Sequence, residues 1–376
     1  MIWWAVPAVY VTFFVVLVYR YHRRLPHLSA YAPRATGPLV SVIIPARDEG
    51  ANIAACVRSV LATNYQTIEV VVVDDRSRDN TGRIVQGIAL EPATAGRLTL
   101  VRGDELPAGW FGKPWALIQG YRQAKGEILL FADADTRHTP ELIPRTVAAL
   151  QDERVDLVTV LSRQEMLSFW ERLVQPHVLL ALAARVGDLR RVNRTRVAWN
   201  AIANGQFILT PRTAYEAVGT HAAVKDSVVE DLAIAQAYVR AGRDLFLVHG
   251  AEYMVTRMYA SLAGIVEGWS KNLASGVPLM LPPVGWLRRI APWLMWLPSL
   301  VWIVPVVWLA TGGPAALATV GISLLVWLEI YWQEKAPVGY ALLFPFGALV
   351  VAFIMLRSAW RGRRKIVWKG RVYSAR

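Results

Sequence analysis

Between residues 40 and 135 the chain alternates short, fully apolar runs with stretches whose apolar positions recur at helical spacing. Residues 40–44 form a β-branched run that Pro45 is expected to stop, and residues 52–61 repeat with the period of an amphipathic helix. The pattern returns in "IEVVVVDDRSRDNTGRIV", a strand that ends at Asp74-Asp75 and passes through a polar turn into a helix. "LTLVRG", "GKPWALIQGYRQA" and "EILLFADAD" continue as strand, helix and strand. Strands that are apolar along their whole length belong to a sheet covered on both faces, so the expected class is α/β with a mostly parallel central sheet. In such open sheets ligands bind beyond the carboxyl ends of the strands. Three of these ends carry acids or a polar loop: Arg47-Asp48-Glu49, Asp74-Asp75 and Asp133-x-Asp135. Acids converging on one rim predict a site.

The flanks follow a different pattern. Residues 2–19 are one nearly uninterrupted apolar run, about long enough to span a hydrocarbon core. Residues 290–356 are apolar again, broken by "TGGPA" and "WQEKAP" into segments at about 290–310, 315–333 and 337–356. A cleaved signal peptide carries its positive charge before the apolar stretch, whereas here "YRYHRR" follows it, so a retained anchor is expected. The positive-inside rule then puts the next domain, and the basic tail, in the cytoplasm. Both flanks on one side require an even number of crossings between them. Pro292, Pro298 and Pro305 suit the first of the three segments to an interfacial or re-entrant path. The expected organisation is an anchor at 1–20, a catalytic domain at 38–275, an interfacial segment at 276–289, membrane helices at 290–357 and a basic tail at 358–376.

Composition changes the picture in three ways. The chain is 55% hydrophobic and only 18% charged, too apolar for an ordinary soluble enzyme. Its formal charge of +13 would suggest nucleic acid, but much of the excess lies beside the apolar segments, where anionic headgroups are the natural partner. No nucleic acid is expected. A single Cys56 excludes an internal disulfide and a cysteine-based zinc site.

The chemistry is concentrated in "FADADT". Acids at i and i+2 on an extended backbone project to the same side and repel each other, so Asp133 and Asp135 call for a cation between them. Neither a dinucleotide G-x-G-x-x-G turn nor a phosphate-binding G-K-[ST] loop is present. A divalent ion can instead be shared between these carboxylates and the oxygens of a diphosphate. Asp75 is then free to bond a nucleobase or ribose. Asp74 and Asp79 read more simply as caps of the turn between them and the helix that follows.

"VSVIIPARDEGANI", "VVVVDDRSRDNTG", "GKPWAL", "FADADT", "NGQFILTPRTAYEAVG" and "VVEDLAIAQAYVRAG" occur in this order over residues 40–250. In order and spacing they resemble the motifs of the inverting family 2 glycosyltransferases of GT-A fold. That resemblance implies a nucleotide pocket lined from Pro45 to Glu49, with Asp48 or Glu49 near the base and Asp75 on the uridine or ribose. It implies Asp133 and Asp135 as the D-x-D pair holding Mn2+ or Mg2+ against the diphosphate, and Lys113 as a phosphate or sugar contact. Asp231 becomes the base that takes the acceptor's proton, supported by Glu230, with Asn204, Gly205 and Gln206 beside the donor sugar. Two acids at a helix start would also be explained by the helix dipole alone.

One motif departs from the pattern. Processive and glucosylceramide-type relatives carry Q-x-x-R-W near the membrane, whereas this chain has "YASLAGIVEGWSKNLASG". Trp269 and Lys271 are the candidates to replace its stacking and diphosphate contacts, though neither is in register with it. Transfer of one sugar is therefore expected rather than polymer synthesis. The wording "GWFGKPWA" and "GWSKN" resembles the branch acting on carotenoid-, hopanoid- or ceramide-type lipids, and residues 277–296 mix apolar, aromatic and basic positions as an interfacial helix does. The implied protein is a multi-pass inner-membrane glycosyltransferase facing the cytoplasm, using a nucleotide sugar, UDP-sugar first, and a lipid hydroxyl. The alternatives are a polyprenyl-phosphate sugar synthase, a processive polysaccharide synthase and a non-catalytic membrane scaffold.

Overall fold

The computed structural model describes residues 4–22, 26–186, 189–193, 195–362, 366–369 and 371–373. Helix α1 (Ala5–His22) leads to β1 (Val40–Ala46), α2 (Ile53–Leu61), β2 (Ile68–Asp74), α3 (Thr81–Ala89), β3 (Leu98–Arg102), α4 (Gly112–Gln123) and β4 (Ile128–Ala132). Then come β5 (Thr136–His138), α5 (Leu142–Asp152), β6 (Leu157–Leu161), β7 (Arg163–Gln164), α6 (Phe169–Val186), α7 (Leu189–Asn193), β8 (Phe207–Pro211), α8 (Arg212–Ala217), α9 (Glu230–Arg240) and β9 (Leu245–His249). A seven-stranded sheet has the order β3-β2-β1-β4-β8-β6-β9. All its strands run parallel except β8, which is antiparallel to both β4 and β6.

Alternation along the strands divides the core between the two faces. Val40, Val42 and Ile44 of β1 pack with Ile53, Val57, Val85 and Leu142 of α2, α3 and α5, while Ile43 packs with Leu117 of α4, Tyr215 of α8 and Ile234 of α9. This two-sided burial is why the strands read as unbroken apolar runs. Pro45 does not stop β1: the strand continues to Ala46, with Pro45 in register opposite Val73. The pairing of β1 with β4 ends at Ile43, so the proline lies where only one neighbour is bonded and costs little of the ladder.

A second layer of helices lies beside this domain. After β10 (Met254–Thr256), which joins β5 and β7 in a small sheet, come α10 (Leu262–Gly276), α11 (Gly285–Leu294), α12 (Leu300–Trp308), α13 (Gly313–Gln333) and α14 (Phe344–Arg361). Among the described residues, Gly285–Trp308, Gly313–Gln333 and Val338–Arg361 are long and apolar enough to cross a membrane. The first is broken between α11 and α12, and it contains Pro292, Pro298 and Pro305. Helices α6 and α10 pack on α14 through Leu173, Val174, Trp269, Leu273, Val351 and Ile354. His177 of α6 stacks on Trp327 of α13 with ring centroids 3.6 Å apart, and its Nε2 lies 2.9 Å from the Phe344 carbonyl. The α/β domain is thus wedged into the apolar helices rather than hung from them by a linker. Ahead of β1, Leu28 is fully buried in the core, and the amide of His249 donates to the Pro26 carbonyl at 2.8 Å. The last described segment is a hairpin of β11 (Ile366–Trp368) and β12 (Arg371–Tyr373).

Candidate active site at the carboxyl rim

The loops leaving β1, β2 and β4 and the start of α9 meet at one end of the sheet. A cavity of about 1100 Å3 there is lined by Pro45, Glu49, Asp75, Lys113, Asp133 and Asp135, and also by Asn204, Gly205, Gln206, Glu230, Asp231, Trp269 and Lys271. The acids from distant parts of the chain therefore share one cleft. Asp48 is not in its lining: it holds a left-handed backbone (φ 52°), and its Oδ1 accepts from the Arg78 amide at 2.7 Å. Asp74 and Asp79 cap the turn between them, accepting from the amides of Ser77 and Thr81 at 3.0 and 2.9 Å.

Lys113, at the start of α4, is the hub. Its Nζ lies 2.6 Å from Asp133 Oδ1 and 2.6 Å from Glu230 Oε1, tying β4 to α9. Burial alone would push its pKa down, but these two carboxylates push it up, so it stays a cation. The same ammonium holds Glu230 below the usual carboxylate range against the upward push of burial. Lys113 thus sits in the cleft as a clamp on two acids rather than as an exposed lysine.

Asp135 is different. Burial, reinforced by the charges of Asp133 and Glu49, lifts it to about 7, and its buried Oδ1 has no hydrogen-bond partner among the described residues. A buried carboxylate oxygen left without a donor, next to a second carboxylate, is what a cation would complete. Among the described residues no three His, Cys, Asp or Glu side chains gather as a ready-made metal cage.

Asp231 opens α9. Its Oδ2 accepts from the Gly205 amide at 3.0 Å and its Oδ1 from the Leu232 amide at 2.7 Å, which fixes the carboxylate's orientation. Burial and the neighbouring Glu230 charge raise it to about 6, beyond what Lys113 offsets. A Cβ on Gly205 would meet Asp231 Cβ and Oδ2 at 3.0 Å, so only glycine lets the loop come this close. Asn204 and Gln206 brace that loop: Asn204 Nδ2 donates to the Val160 carbonyl at 2.8 Å, and Ser162 Oγ donates to Gln206 Oε1 at 2.6 Å.

Trp269 lines the cavity, yet its indole N–H donates to Gln175 Oε1 at 2.6 Å and its ring is buried between α6 and α14. It locks α10 in place. Lys271, two residues further along α10, has its pKa lowered to about 8 by burial, against the pull of Glu230. Glu267 pairs with Arg357 and Arg361 of α14.

The residues that sequence reasoning missed lie in the basic tail. Arg371 makes two bonds to Asp75, at 2.5 and 2.9 Å, and Lys369 Nζ lies 2.8 Å from Glu49 Oε1. Their signal was present as "IVWKGRVY", two β-rich triplets around Lys-Gly, a hairpin pattern hidden by the charge count.

Residues 41–218 match the model of Glycosyl transferase family 2. The chain is 26% identical over 260 residues to 4,4'-diaponeurosporenoate glycosyltransferase of Staphylococcus aureus (strain USA300), an alignment covering 68% of this chain and 65% of that relative's length. The protein of that name from strain bovine RF122 / ET3-1 aligns over 350 residues at 25% identity, covering 89% of this chain and 88% of its own. Among solved structures, a mannosyltransferase from Pyrobaculum calidifontis in complex with GDP-Man and Mn2+ has the same fold, with a TM-score of 0.58 at 18% identity over 96% of this chain and 99% of that one. The chain carries a family 2 glycosyltransferase domain of GT-A fold across residues 41–218, set against apolar helices.

Proposed function

We propose that the protein is a metal-dependent, inverting glycosyltransferase that moves one sugar from a nucleotide-diphosphate sugar, UDP-sugar first, to a hydroxyl of a membrane lipid. One observation carries this reading. The cavity that holds Asp133, Asp135 and Asp231 is also walled by Phe13 of α1, Leu179, Leu180 and Ala183 of α6, and Val326 and Ile330 of α13. A polar, acidic end suits a diphosphate and an apolar end suits a lipid chain, with the base between them. The S. aureus relatives named for 4,4'-diaponeurosporenoate favour a carotenoid-like acceptor over hopanoid or sphingolipid.

In this mechanism Asp133 and Asp135 would hold Mn2+ or Mg2+, which supplies positive charge to the departing diphosphate. Mn2+ is favoured, since the Pyrobaculum neighbour was solved with it. Asp231 takes the acceptor hydroxyl's proton as that oxygen bonds the anomeric carbon, and the bond from that carbon to the diphosphate breaks on the opposite face. Glu230, kept ionised by Lys113, raises the basicity of Asp231. Lys271, which lines the cavity and feels the Glu230 charge, is our candidate for a contact to the donor's phosphates.

The hairpin touches the α/β domain, so the tail and the catalytic rim share one side of any bilayer the helices cross. We assign that side to the cytoplasm of the inner membrane, and the broken α11–α12 stretch to the interface, which keeps the crossings even. α11 suits that place, since none of its residues is buried in the protein.

Gly205→Ala tests the arrangement. The new methyl must push Asp231 by a few tenths of an ångström. We expect turnover to fall roughly tenfold, since misplacement by a full ångström can cost about 100-fold, with UDP affinity unchanged. Normal turnover would show that Asp231's position is not critical. The whole reading is tested by mass spectrometry of lipid extracts from cells with and without the protein. A class of glycolipid should vanish with it, and an unchanged glycolipid profile overturns the proposal.

A further inference from the structure

Resting on the donor site proposed above, we infer that the C-terminal hairpin is a built-in plug of the nucleoside end of that site, displaced when the donor binds. Both carboxylate oxygens of Asp75 are bonded by Arg371, and Asp75 is 2% exposed. Tyr373 stacks on Phe111 at 4.3 Å, and its hydroxyl accepts from the Gly112 amide at 3.2 Å. Lys369 bonds Glu49 Oε1 and the Asp48 carbonyl, while Arg47 Nε donates to the Lys369 carbonyl at 3.1 Å. The hairpin thus engages the acids at the ends of both β1 and β2. The fit is close: a Cβ on Gly112 would come within 2.7 Å of the Arg371 guanidinium and 3.1 Å of Asp75 Oδ2.

With both oxygens bonded by Arg371 and the side chain buried beneath it, Asp75 offers no face to a donor arriving from solution. A nucleobase N–H or a ribose hydroxyl reaches Asp75 only after Arg371 has let go. The plug is tethered close by, because α14 ends at Arg361 and Gly362, with φ 55°, turns the chain just before the hairpin. A short tether gives the plug a high effective concentration at its seat. The donor's apparent affinity is then reduced by the fraction of time the plug is seated. The seating also gives Asp75 and Glu49 an ion-pair partner each.

The test uses the full-length protein, with UDP and Mn2+ as the probe. Calorimetry compares the natural chain with Arg371→Ala and with Tyr373→Ala, which leaves the Arg371–Asp75 pair in place. Limited trypsin digestion follows release of the C-terminal peptide with and without UDP. We expect Arg371→Ala to bind UDP roughly tenfold tighter, Tyr373→Ala to shift in the same direction, and UDP to speed cleavage in the natural chain. Weaker binding by either variant would make the hairpin a wall of the site and overturn the inference, as would unchanged affinities with UDP-independent cleavage. In both of those cases the donor site itself stands. If none of the three folded chains binds UDP or GDP, the donor-site reading fails and the plug with it.

Discussion

Replacing Asp231 with Asn should lower turnover by about 10²–10⁴-fold, or roughly 3–5 kcal/mol of transition-state stabilisation, while metal-dependent UDP binding stays at its natural strength. The amide is nearly the same size, but its single carbonyl oxygen can accept from only one of the Gly205 and Leu232 amides, and its NH2 faces the other N–H as a second donor. The unchanged UDP binding is therefore the check that the α9 start has kept its shape. What the Asn side chain cannot do is take a proton. The pH profile adds an independent check. Burial and Glu230 lift Asp231 to about 6, so its basic form is present above that value and lost below it. Turnover should therefore rise with pH through about 6 and level off. The Asn variant's residual activity should lack this step. Full activity in Asp231→Asn would point instead to a phosphate acceptor, which needs no base, and would favour the polyprenyl-phosphate alternative.

Asp135→Ala should abolish the metal dependence of UDP binding. Groups that merely support metal ligands cost about 10–100-fold when removed, so loss of one of two protein ligands should cost at least that much. Natural enzyme treated with a chelator should behave like the variant, and calorimetry with UDP and Mn2+ reads both. Asp135 is the cleaner of the two positions, because removing Asp133 would also strip a partner from Lys113. Stability should move the other way. In the folded chain the carboxyl releases its proton near 7, against an ordinary 3.8, so the folded state holds that proton more tightly than the unfolded one. Stability is consequently lost as pH rises through this window. The metal-free variant should melt no lower than the natural protein at pH 8, despite its lost function. A variant that keeps its Mn2+-dependent heat would remove Asp135 from the metal site.

Much of this site is legible in the sequence because its parts are local. A strand covered on both faces must be apolar throughout, and whatever polar residue ends it marks the rim, so Asp75, Asp133 and Asp135 stand out in the bare text. Asp231 and Glu230 stand out because they open a helix after an apolar break. What the sequence hides is pairing across distance. Lys113 reads as a donor contact, but its partners, Asp133 and Glu230, are brought to it only by the crossing of β4 and α9. Trp269 looks like a stacking platform until the α6–α10 contact supplies Gln175 for its N–H. The tail misleads most: its basic residues suggest lipid headgroups, whereas Lys369 and Arg371 face Glu49 and Asp75. Pro45 misleads in a smaller way, since a proline breaks a strand only where a neighbouring strand needs the missing N–H, and beyond Ile43 β1 has a neighbour on one side alone.

The reversed direction of β8 sets which end of its sequence reaches the rim. Every parallel strand delivers to the rim the residues that follow it, but β8 delivers those that precede it, which is why 204–206 reach Asp231. The turn beyond Pro211 opens at the opposite edge, where Arg212 bonds the carbonyls of Ala124 and Gly126. A change of length ahead of Phe207 would act directly on the Gly205–Asp231 contact, whereas one after Pro211 would meet only the far edge of the sheet and the packing of α8.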